Sequence, residues 1–152
     1  MSSENCPICR RQKSTDLDSV VFESENWIVR HSPETNILGY LLVEAKRHYL
    51  DLSEATAAEA STFGPVCKEM AAAIRKITRA ERVYSFSLNE AVPHFHTHLI
   101  PRTAAIPRRY RARGILAYPL EPTADRTLVA ETCSRLRSCL RRLPGLQAIS
   151  NV

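Results

Sequence analysis

The spacing of hydrophobic and polar positions predicts short strands in the first third of the chain. Apolar residues at 20–22 and 27–29 flank a polar stretch, which indicates two strands joined by a turn at 23–26. Residues 32–39 contain Pro, Asn and Gly and are typical of a loop. The apolar run at 40–46 has the length of a strand and predicts burial of at least one of its faces.

The middle of the chain has the period of a helix. Apolar residues recur there at intervals of three and four positions: Phe63, Val66, Met70, Ile74 and Ile77. Asp51 or Ser53 is expected to cap this helix at its N-terminus. The Gly64-Pro65 step should kink or split the helix, because proline removes an amide donor and crowds the preceding turn.

The second half of the chain adds two strands and a terminal helix. Residues 82–89 alternate as a half-buried strand does, the histidine run after them is predicted as another strand, and 101–114 are expected to be irregular. A terminal helix, capped by Thr123 or Asp125, is expected to carry apolar residues on one side: Leu128, Val129, Cys133, Leu136 and Leu140. Strands that pair locally around a main helix predict an α+β fold with an antiparallel sheet.

Composition is that of one folded domain. The 152 residues are 44% hydrophobic and 24% charged, so we interpret 1–152 as a single domain. No apolar run is long enough to span a membrane, and the N-terminus lacks the apolar core of a signal peptide, so a cytoplasmic location is expected. Five cysteines in a reducing compartment are expected to be thiols and not a disulfide framework.

The net charge of +5 comes mainly from arginines late in the chain. One group follows the histidine run: Arg102, Arg108, Arg109, Arg111 and Arg113. A second group, expected to be a solvated surface, comes later: Arg135, Arg137, Arg141 and Arg142. A basic balance favours anionic partners such as phosphorylated metabolites. Only Tyr110 is interleaved with the first group, so nucleic acid is an unlikely partner.

Three of the five histidines occupy alternate positions in one short run. His94, His96 and His98 would share one face of a strand, while Phe95 and Leu99 point to the core. Packing alone gives no reason to place three titratable rings on one face, so we interpret them as a functional site. Two chemistries fit: a metal held by imidazoles, or covalent catalysis at phosphorus with one imidazole as nucleophile. The residues alone leave both open.

The run "HFHTHLI" followed by Pro101-Arg102 resembles the His-x-His-x-His motif of the histidine triad (HIT) family of nucleotide hydrolases and transferases. Residues 26–54, "NWIVRHSPETNILGYLLVEAKRHYLDLSE", resemble the first half of that family, so the resemblance covers about 6–102. It implies a HIT-like antiparallel sheet of about five strands, with one long helix and a C-terminal helix. It also implies a homodimer, and residues 103–152 form the variable C-terminal tail that carries the terminal helix.

The resemblance implies a different role for each of two histidines. His96 would attack the α-phosphorus of a nucleotide and carry it covalently, while His98 would hold phosphate oxygens and assist the leaving group. The substrate would be a dinucleoside polyphosphate, a nucleoside phosphoramidate or a similar nucleotide conjugate. Two alternatives stay open: a zinc-dependent hydrolase with the histidine strand as metal ligands, and a catalytically silent nucleotide-binding protein.

One branch of the family holds a structural zinc with an N-terminal CxxC pair and two histidines. The corresponding residues here are Cys6, Cys9, His48 of the Lys-Arg-His step, and His94. This implies that residues 1–15 are a zinc-ligand segment and that zinc is a structural cofactor. The remaining cysteines are expected to act as small hydrophobic residues in the helices: Cys67, Cys133 and Cys139.

Some positions depart from the family pattern. Only "NEAVP" separates Leu88 from His94, which leaves Asn89 as a phosphate donor and places Glu90 where it would repel a polyphosphate. Tyr40 follows the loop glycine, where many relatives have a histidine.

Other substrate contacts are expected at two places. His31 or Ser32 occupies the position that binds ribose in the family. Arg102, with Arg108 and Arg109, is expected to supply phosphate contacts, because guanidinium groups match phosphate geometry.

Overall fold

The predicted α+β class and its antiparallel sheet are confirmed. The structure, a computed structural model, describes residues 3–14, 17–119 and 125–140. Five strands form one sheet in the order β1-β2-β3-β5-β4, and every neighbouring pair is antiparallel. The strands are β1 (Val20–Glu23), β2 (Trp27–His31), β3 (Leu41–Ala45), β4 (Arg82–Phe86) and β5 (His96–Arg102).

Three α-helices accompany the sheet: α1 (Pro7–Gln12), α2 (Ala57–Thr78) and α3 (Arg126–Leu140). The long helix α2 confirms the prediction from the apolar spacing, but its cap was predicted wrongly. Thr56 caps α2 by accepting a hydrogen bond from the Glu59 amide, while Asp51 caps a separate 3-10 turn at Leu52–Glu54. Pro65 lies inside α2 without splitting it.

Helix α1 was not predicted, because the polar residues around the CxxC pair have no helical period. Pro7 occupies its first turn, where a missing amide hydrogen costs nothing. Cys6 is the residue before the helix and Cys9 follows three positions later, so both thiols lie on the same side of α1.

The sheet has two differently covered faces. One face packs on α2 and α3 and forms the main core, which includes Trp27, Val43, Met70, Ile74 and Leu136. The opposite face carries a smaller apolar cluster: Tyr40, Leu42, Ile100, Ile106 and Ile115. Its last two members come from the tail that follows β5, so this part of the tail covers the sheet.

Helix α3 packs much as its apolar spacing predicts. Cys133, Leu136 and Leu140 are buried, whereas Leu128 was predicted on the same side and is 47% exposed. Asp125 accepts a hydrogen bond from the Thr127 amide at the helix start, and the alternative cap, Thr123, lies outside the described residues. Within the part of the chain that the structure describes, no helix is long and apolar enough to cross a membrane.

Candidate functional site

Two cysteines and two histidines from three separate segments meet beside the start of β5. Cys6 immediately precedes α1 and Cys9 lies in it, His48 follows β3, and His94 lies two residues before β5. Their ligand atoms all lie within 4.8 Å of one another. We refer to these four residues as the Cys-His cluster.

The spacing within the Cys-His cluster fits a tetrahedral ion. The Nδ1 atoms of His48 and His94 are 3.2 Å apart, and three sulfur–nitrogen distances are 3.4, 3.5 and 3.5 Å. Zinc with ordinary bond lengths and tetrahedral angles separates two nitrogens by about 3.3 Å and a sulfur from a nitrogen by about 3.6 Å. The donor set and its dimensions therefore suit Zn²⁺.

The backbone fixes the orientation of the His94 ring. Its Nε2 lies 2.7 Å from the Ala45 carbonyl, which can only accept, so Nε2 carries the proton and Nδ1 offers its lone pair to the cluster. Burial lowers the pKa of His94, which favours the neutral ring that a metal requires. Burial and the neighbouring Cys6 raise the pKa of the Cys9 thiol to about 11.

Arg47, the residue before His48, forms a salt bridge with Glu59 that fixes this part of the chain. The Arg47 guanidinium binds both carboxylate oxygens of Glu59, at 3.0 and 2.7 Å. Glu59 also accepts from the Thr56 amide, so the same carboxylate joins the start of α2 to the strand end that carries His48. The Arg47 guanidinium holds the pKa of Glu59 below its usual value.

The three histidines of the run do not all lie on one face of β5. The predicted strand begins only at His96, because His94 turns away into the Cys-His cluster. His96 and His98 share the sheet face opposite the helices, and their ring centroids are 4.8 Å apart. The prediction of three rings on one strand face is therefore wrong for His94.

His96 has the orientation of a nucleophile. Its Nδ1 lies 2.7 Å from the His94 carbonyl oxygen, so Nδ1 must donate and Nε2 keeps a free lone pair. The ring is buried, and its backbone amide donates to Oδ1 of Asn89 at 3.3 Å. A neutral imidazole with a fixed tautomer and a directed lone pair is competent for attack on phosphorus.

His98 is held by two aromatic side chains. Its Nδ1 lies 2.8 Å from the hydroxyl oxygen of Tyr40, and its ring stacks on Phe86 with the centroids 5.0 Å apart. Burial lowers the pKa of His98 to about 4, with a further contribution from His96, so the ring is neutral at pH 7. Tyr40 thus takes part in the site at the position where the sequence departs from the family pattern.

Asn89 contacts the protein backbone and not the open face of the site. Besides accepting from the His96 amide, it donates from Nδ2 to the Leu50 carbonyl at 3.1 Å. Its φ of 56° is left-handed, a conformation that asparagine tolerates better than most residues. Glu90 is exposed and lines a groove with Phe63 and Phe95 on the helix side of the sheet, away from the face that carries His96.

His31 and Ser32 both lie at the end of β2, but only one has a polar group to spare. Nδ1 of His31 donates to the Ser32 carbonyl at 2.9 Å, and its Nε2 accepts from the Gly39 amide at 3.1 Å. Both ring nitrogens are thus used to close the 32–39 loop. Both residues line a cavity of about 370 Å³. The Ser32 hydroxyl oxygen accepts from the Glu34 amide at 3.4 Å, and its hydrogen has no acceptor among the described residues.

A buried ion-pair cluster was missed by the sequence reasoning. Glu44, fully buried in β3, is bound by Arg30 of β2 at 3.2 Å and by Arg11 of α1 at 2.5 Å. Glu44 is the register partner of His96 and lies beside it on the same face. The hydrophobic pattern gave no indication of this ion pair. β3 is buried on both faces and otherwise apolar, so Glu44 looked like a single interruption of the strand.

Arg102 does not join the histidines. It binds the Glu81 carboxylate at the far end of β5, four residues beyond His98 and therefore about 13 Å along the strand. The residues after it return to the sheet face, where Ile106 and Ile115 pack against Tyr40. This brings Arg108 and Arg109 to the side of the sheet that carries His98.

The fold and the histidine pair on an open sheet face define a protein of the histidine triad class. Residues 13–105, more than half of the chain, match the model of the HIT domain, and the chain belongs to this family. No curated protein matches the chain.

Solved HIT proteins share the fold across most of their length. A Hit-like protein from Bartonella henselae superposes with a TM-score of 0.71 at 20% identity, covering 90% of this chain and 96% of the other. A zinc-bound histidine triad protein from Mycobacterium smegmatis also gives 0.71 at 20% identity, with coverages of 97% and 99%. The diadenosine triphosphate hydrolase of Plasmodium falciparum gives 0.64 at 14% identity, with coverages of 83% and 78%.

Proposed function

We propose that this protein hydrolyses or transfers a nucleotide at its α-phosphorus through a covalent nucleotidyl-His96 intermediate. The observation that carries the proposal is the hydrogen bond from Nδ1 of His96 to the His94 carbonyl at 2.7 Å. With Nδ1 donating, Nε2 has no hydrogen-bond partner among the described residues and its lone pair is available for attack on phosphorus.

In the first step, the Nε2 lone pair forms a bond to phosphorus while the bond from phosphorus to the leaving group breaks. The leaving group departs with the bonding electron pair and is stabilised by a hydrogen bond from Nε2–H of the neutral His98 ring, whose Nδ1 is engaged by Tyr40. Any proton that the leaving group needs comes from solvent. In the second step, water or another acceptor attacks the same phosphorus, the P–N bond breaks with its electron pair returning to Nε2 of His96, and the proton of the acceptor passes to solvent. Nδ1–H stays on the His94 carbonyl throughout, which stabilises the positive ring that forms when Nε2 is substituted.

The nucleoside is proposed to occupy the cavity that Arg30 and Ser32 line. Arg30 pairs with Leu42, and Leu42 pairs with His98, so Arg30 lies two strands from His98 in the same row. Two strand spacings are about 10 Å, which lets one nucleotide contact both places. Ser32 is the residue proposed to contact the ribose.

The Cys-His cluster is proposed to hold a structural zinc ion. Its support is the ligand spacing described above, and the zinc-bound Mycobacterium smegmatis protein shares this fold. A bound ion would fix His94, whose carbonyl in turn orients His96. Its role is thus architectural, because neither His96 nor His98 contributes an atom to the cluster.

A homodimer is proposed as the active form. β4 lies at the edge of the sheet and leaves its outer backbone groups open to a second strand. Sedimentation of the purified protein tests this directly: a mass near 34 kDa, twice 17.1 kDa, is expected.

The covalent mechanism is tested with the His96→Ala variant. Wild-type protein is expected to retain a nucleotide mass on His96 after acid-free quenching, and the variant is expected to show neither the adduct nor turnover. The matched control is Thr97→Ala, which shortens the next buried side chain of β5 on the opposite face of the sheet, outside the proposed site. Normal turnover by His96→Ala would overturn the proposal, and nucleotide binding without turnover by wild-type protein would identify a silent binding protein.

A further inference from the structure

The tail segment 103–119, which we call the basic loop, covers the sheet face beside His98. Its Ile106 and Ile115 are buried in the apolar cluster that includes Tyr40. Tyr40 binds the His98 ring, and Phe86, which stacks on that ring, also packs against the same cluster. The basic loop and His98 thus share their direct neighbours.

The basic loop has cationic side chains and no acidic ones. Arg108, Arg109, Arg111 and Arg113 lie within six residues, and 103–119 contains neither Asp nor Glu. Arg108, Arg109 and Arg113 are exposed and form no ion pair with any carboxylate that the structure describes. Three guanidinium groups are therefore available to an anionic ligand.

The backbone of the basic loop is held in a defined shape. Two 3-10 turns, Arg108–Tyr110 and Ala112–Ala117, pack so closely that a Cβ on Gly114 would lie 2.2 Å from the Arg109 carbonyl oxygen. The Ala112 amide donates to the hydroxyl of Tyr84 in β4 at 2.9 Å. Arginines on a preformed backbone lose less conformational entropy when they bind a ligand.

We propose that the basic loop binds the leaving group of the substrate, and that this leaving group is a chain of phosphates. The inference rests on the proposed function. The nucleoside is proposed on the β2 side of β5, so the leaving group is placed on the β4 side, where the Ala112 amide of the basic loop binds Tyr84. The bond from Nε2 of His96 to Pα forms while the Pα–O bond breaks, the phosphate chain leaves as an anion with the electron pair, Nε2–H of His98 donates a hydrogen bond to the departing oxygen, and guanidinium groups balance the charge.

The experiment compares two substrates that share an adenylyl group. Diadenosine tetraphosphate loses ATP, whose triphosphate chain carries the departing charge, whereas adenosine 5′-phosphoramidate loses ammonia. In the Arg108→Ala/Arg109→Ala/Arg113→Ala variant, kcat/KM is expected to fall by about 10-fold or more for the first substrate and by less than about twofold for the second. Higher salt should reduce the difference between wild type and variant.

The matched control removes three positive charges from the opposite side of the sheet. Lys68→Ala/Arg75→Ala/Lys76→Ala changes exposed residues of α2 and is expected to leave both kcat/KM values within about twofold of wild type. Equal losses for the two substrates in the basic-loop variant, or no loss for either, would overturn the proposal.

A binding measurement separates this inference from the proposed function. Inorganic tripolyphosphate is titrated calorimetrically into the His96→Ala protein, with and without the three basic-loop substitutions. Binding is expected to weaken by about 10-fold or more when the arginines are removed. If wild-type protein turns over neither substrate while this loss is observed, the proposed function fails and the basic loop remains a polyphosphate site. Unchanged tripolyphosphate binding, or a clear preference for single-stranded oligonucleotides, would refute the site itself.

Discussion

The hydroxyl oxygen of Tyr40 lies 2.8 Å from Nδ1 of His98. Burial raises the pKa of Tyr40 to about 12, so the phenol stays protonated, and this is its one hydrogen bond among the described residues. A buried hydroxyl proton needs an acceptor, and neutral Nδ1 is the acceptor within reach. The tyrosine therefore holds the His98 proton on Nε2. His96 has the opposite tautomer, so Nε2 of His96 offers a lone pair while Nε2 of His98 offers a hydrogen-bond donor, as the proposed mechanism requires.

Tyr40→Phe should reduce catalysis with little effect on substrate binding. Without the phenol, His98 can place its proton on either nitrogen, and the fraction with Nε2–H falls. We expect kcat to fall by about 10-fold while KM stays within about twofold, because a hydrogen-bond donor aimed at the charge that develops on the leaving group contributes about 10²-fold or more. Steady-state kinetics measures both, and Tyr118→Phe in the basic loop is the matched control. A lower thermal stability with an unchanged kcat would show that Tyr40 only packs against the sheet.

The depressed pKa of His98 makes part of the stability depend on pH. The folded value is about 4, whereas the unfolded ring titrates near 6.5, so the unfolded chain binds more protons between these values. This contribution is complete above pH 6.5, decreases as the pH falls through this window, and is lost below about 4. The difference between the two pKa values corresponds to at most about 3 kcal/mol of unfolding free energy. The actual loss is smaller, because a ring that is not fully buried can relax toward solvent when it is protonated.

Denaturant unfolding at pH 7 and pH 5 tests this dependence. The neighbours of the ring that titrate are His96 and Tyr40, and both remain in the His98→Asn variant. The wild-type protein should lose more free energy of unfolding between the two pH values than the variant does. Equal losses would mean that the His98 pKa is not depressed in the folded protein.

Sequence spacing was sufficient to predict the sheet and α2, but not the arrangement around the histidines. Period-two and period-three-to-four patterns report which face of an element is buried, and they predicted the strands around Phe22, Val29 and Val43. The Cys-His cluster was predicted from the family resemblance, since ligands 88 positions apart leave no local pattern.

The missed features are contacts between elements. Glu44 looks like an interruption in an apolar strand until Arg11 and Arg30 are seen to neutralise it. The basic loop has no period, so its return to the sheet depends on isolated residues such as Ile106 and Ile115. The sequence offers two capping-box pairs, Asp51 with Glu54 and Thr56 with Glu59, and local pattern does not say which one starts the long helix. The contact of Glu59 with Arg47 favours the start at Thr56.

The Cys-His cluster should bind one equivalent of zinc that contributes to folding. Cys9→Ser is expected to reduce the metal content to near zero, because serine is a poor zinc ligand. A loss of about 3 kcal/mol of binding free energy would lower the melting temperature by roughly 10 °C for a chain of this size. Elemental analysis and thermal unfolding measure the two effects. Cys67→Ser, a partly buried cysteine of α2 outside the cluster, is the control and should keep its zinc.

Glu59→Gln should weaken zinc binding without removing a ligand. The amide loses the charge that binds Arg47 through two contacts, so His48 is less well fixed. Loss of such a supporting contact typically reduces metal affinity by about 10-fold or more. A chelator competition measures this ratio. Glu54→Gln is the control, because Glu54 contacts Arg47 only through its backbone carbonyl. Equal zinc affinities for the two variants would show that the Arg47–Glu59 pair does not position His48.

Glu44→Gln should destabilise the protein strongly, because it leaves the buried Arg30 guanidinium without a counter-ion. Removing one partner of a buried ion pair costs about 3 kcal/mol or more, whereas an exposed pair contributes about 0 to 1 kcal/mol. The control is Glu23→Gln, which breaks the pair with Lys46 in which both side chains are 40% or more exposed. Urea unfolding compares the two variants. Arg30→Met combined with Glu44→Leu should recover most of the loss, since apolar replacement of both partners removes the unpaired charge and Arg11 can extend into solvent. If the double substitution is as unstable as Glu44→Gln alone, the destabilisation arises from packing beside His96 and not from the unpaired charge.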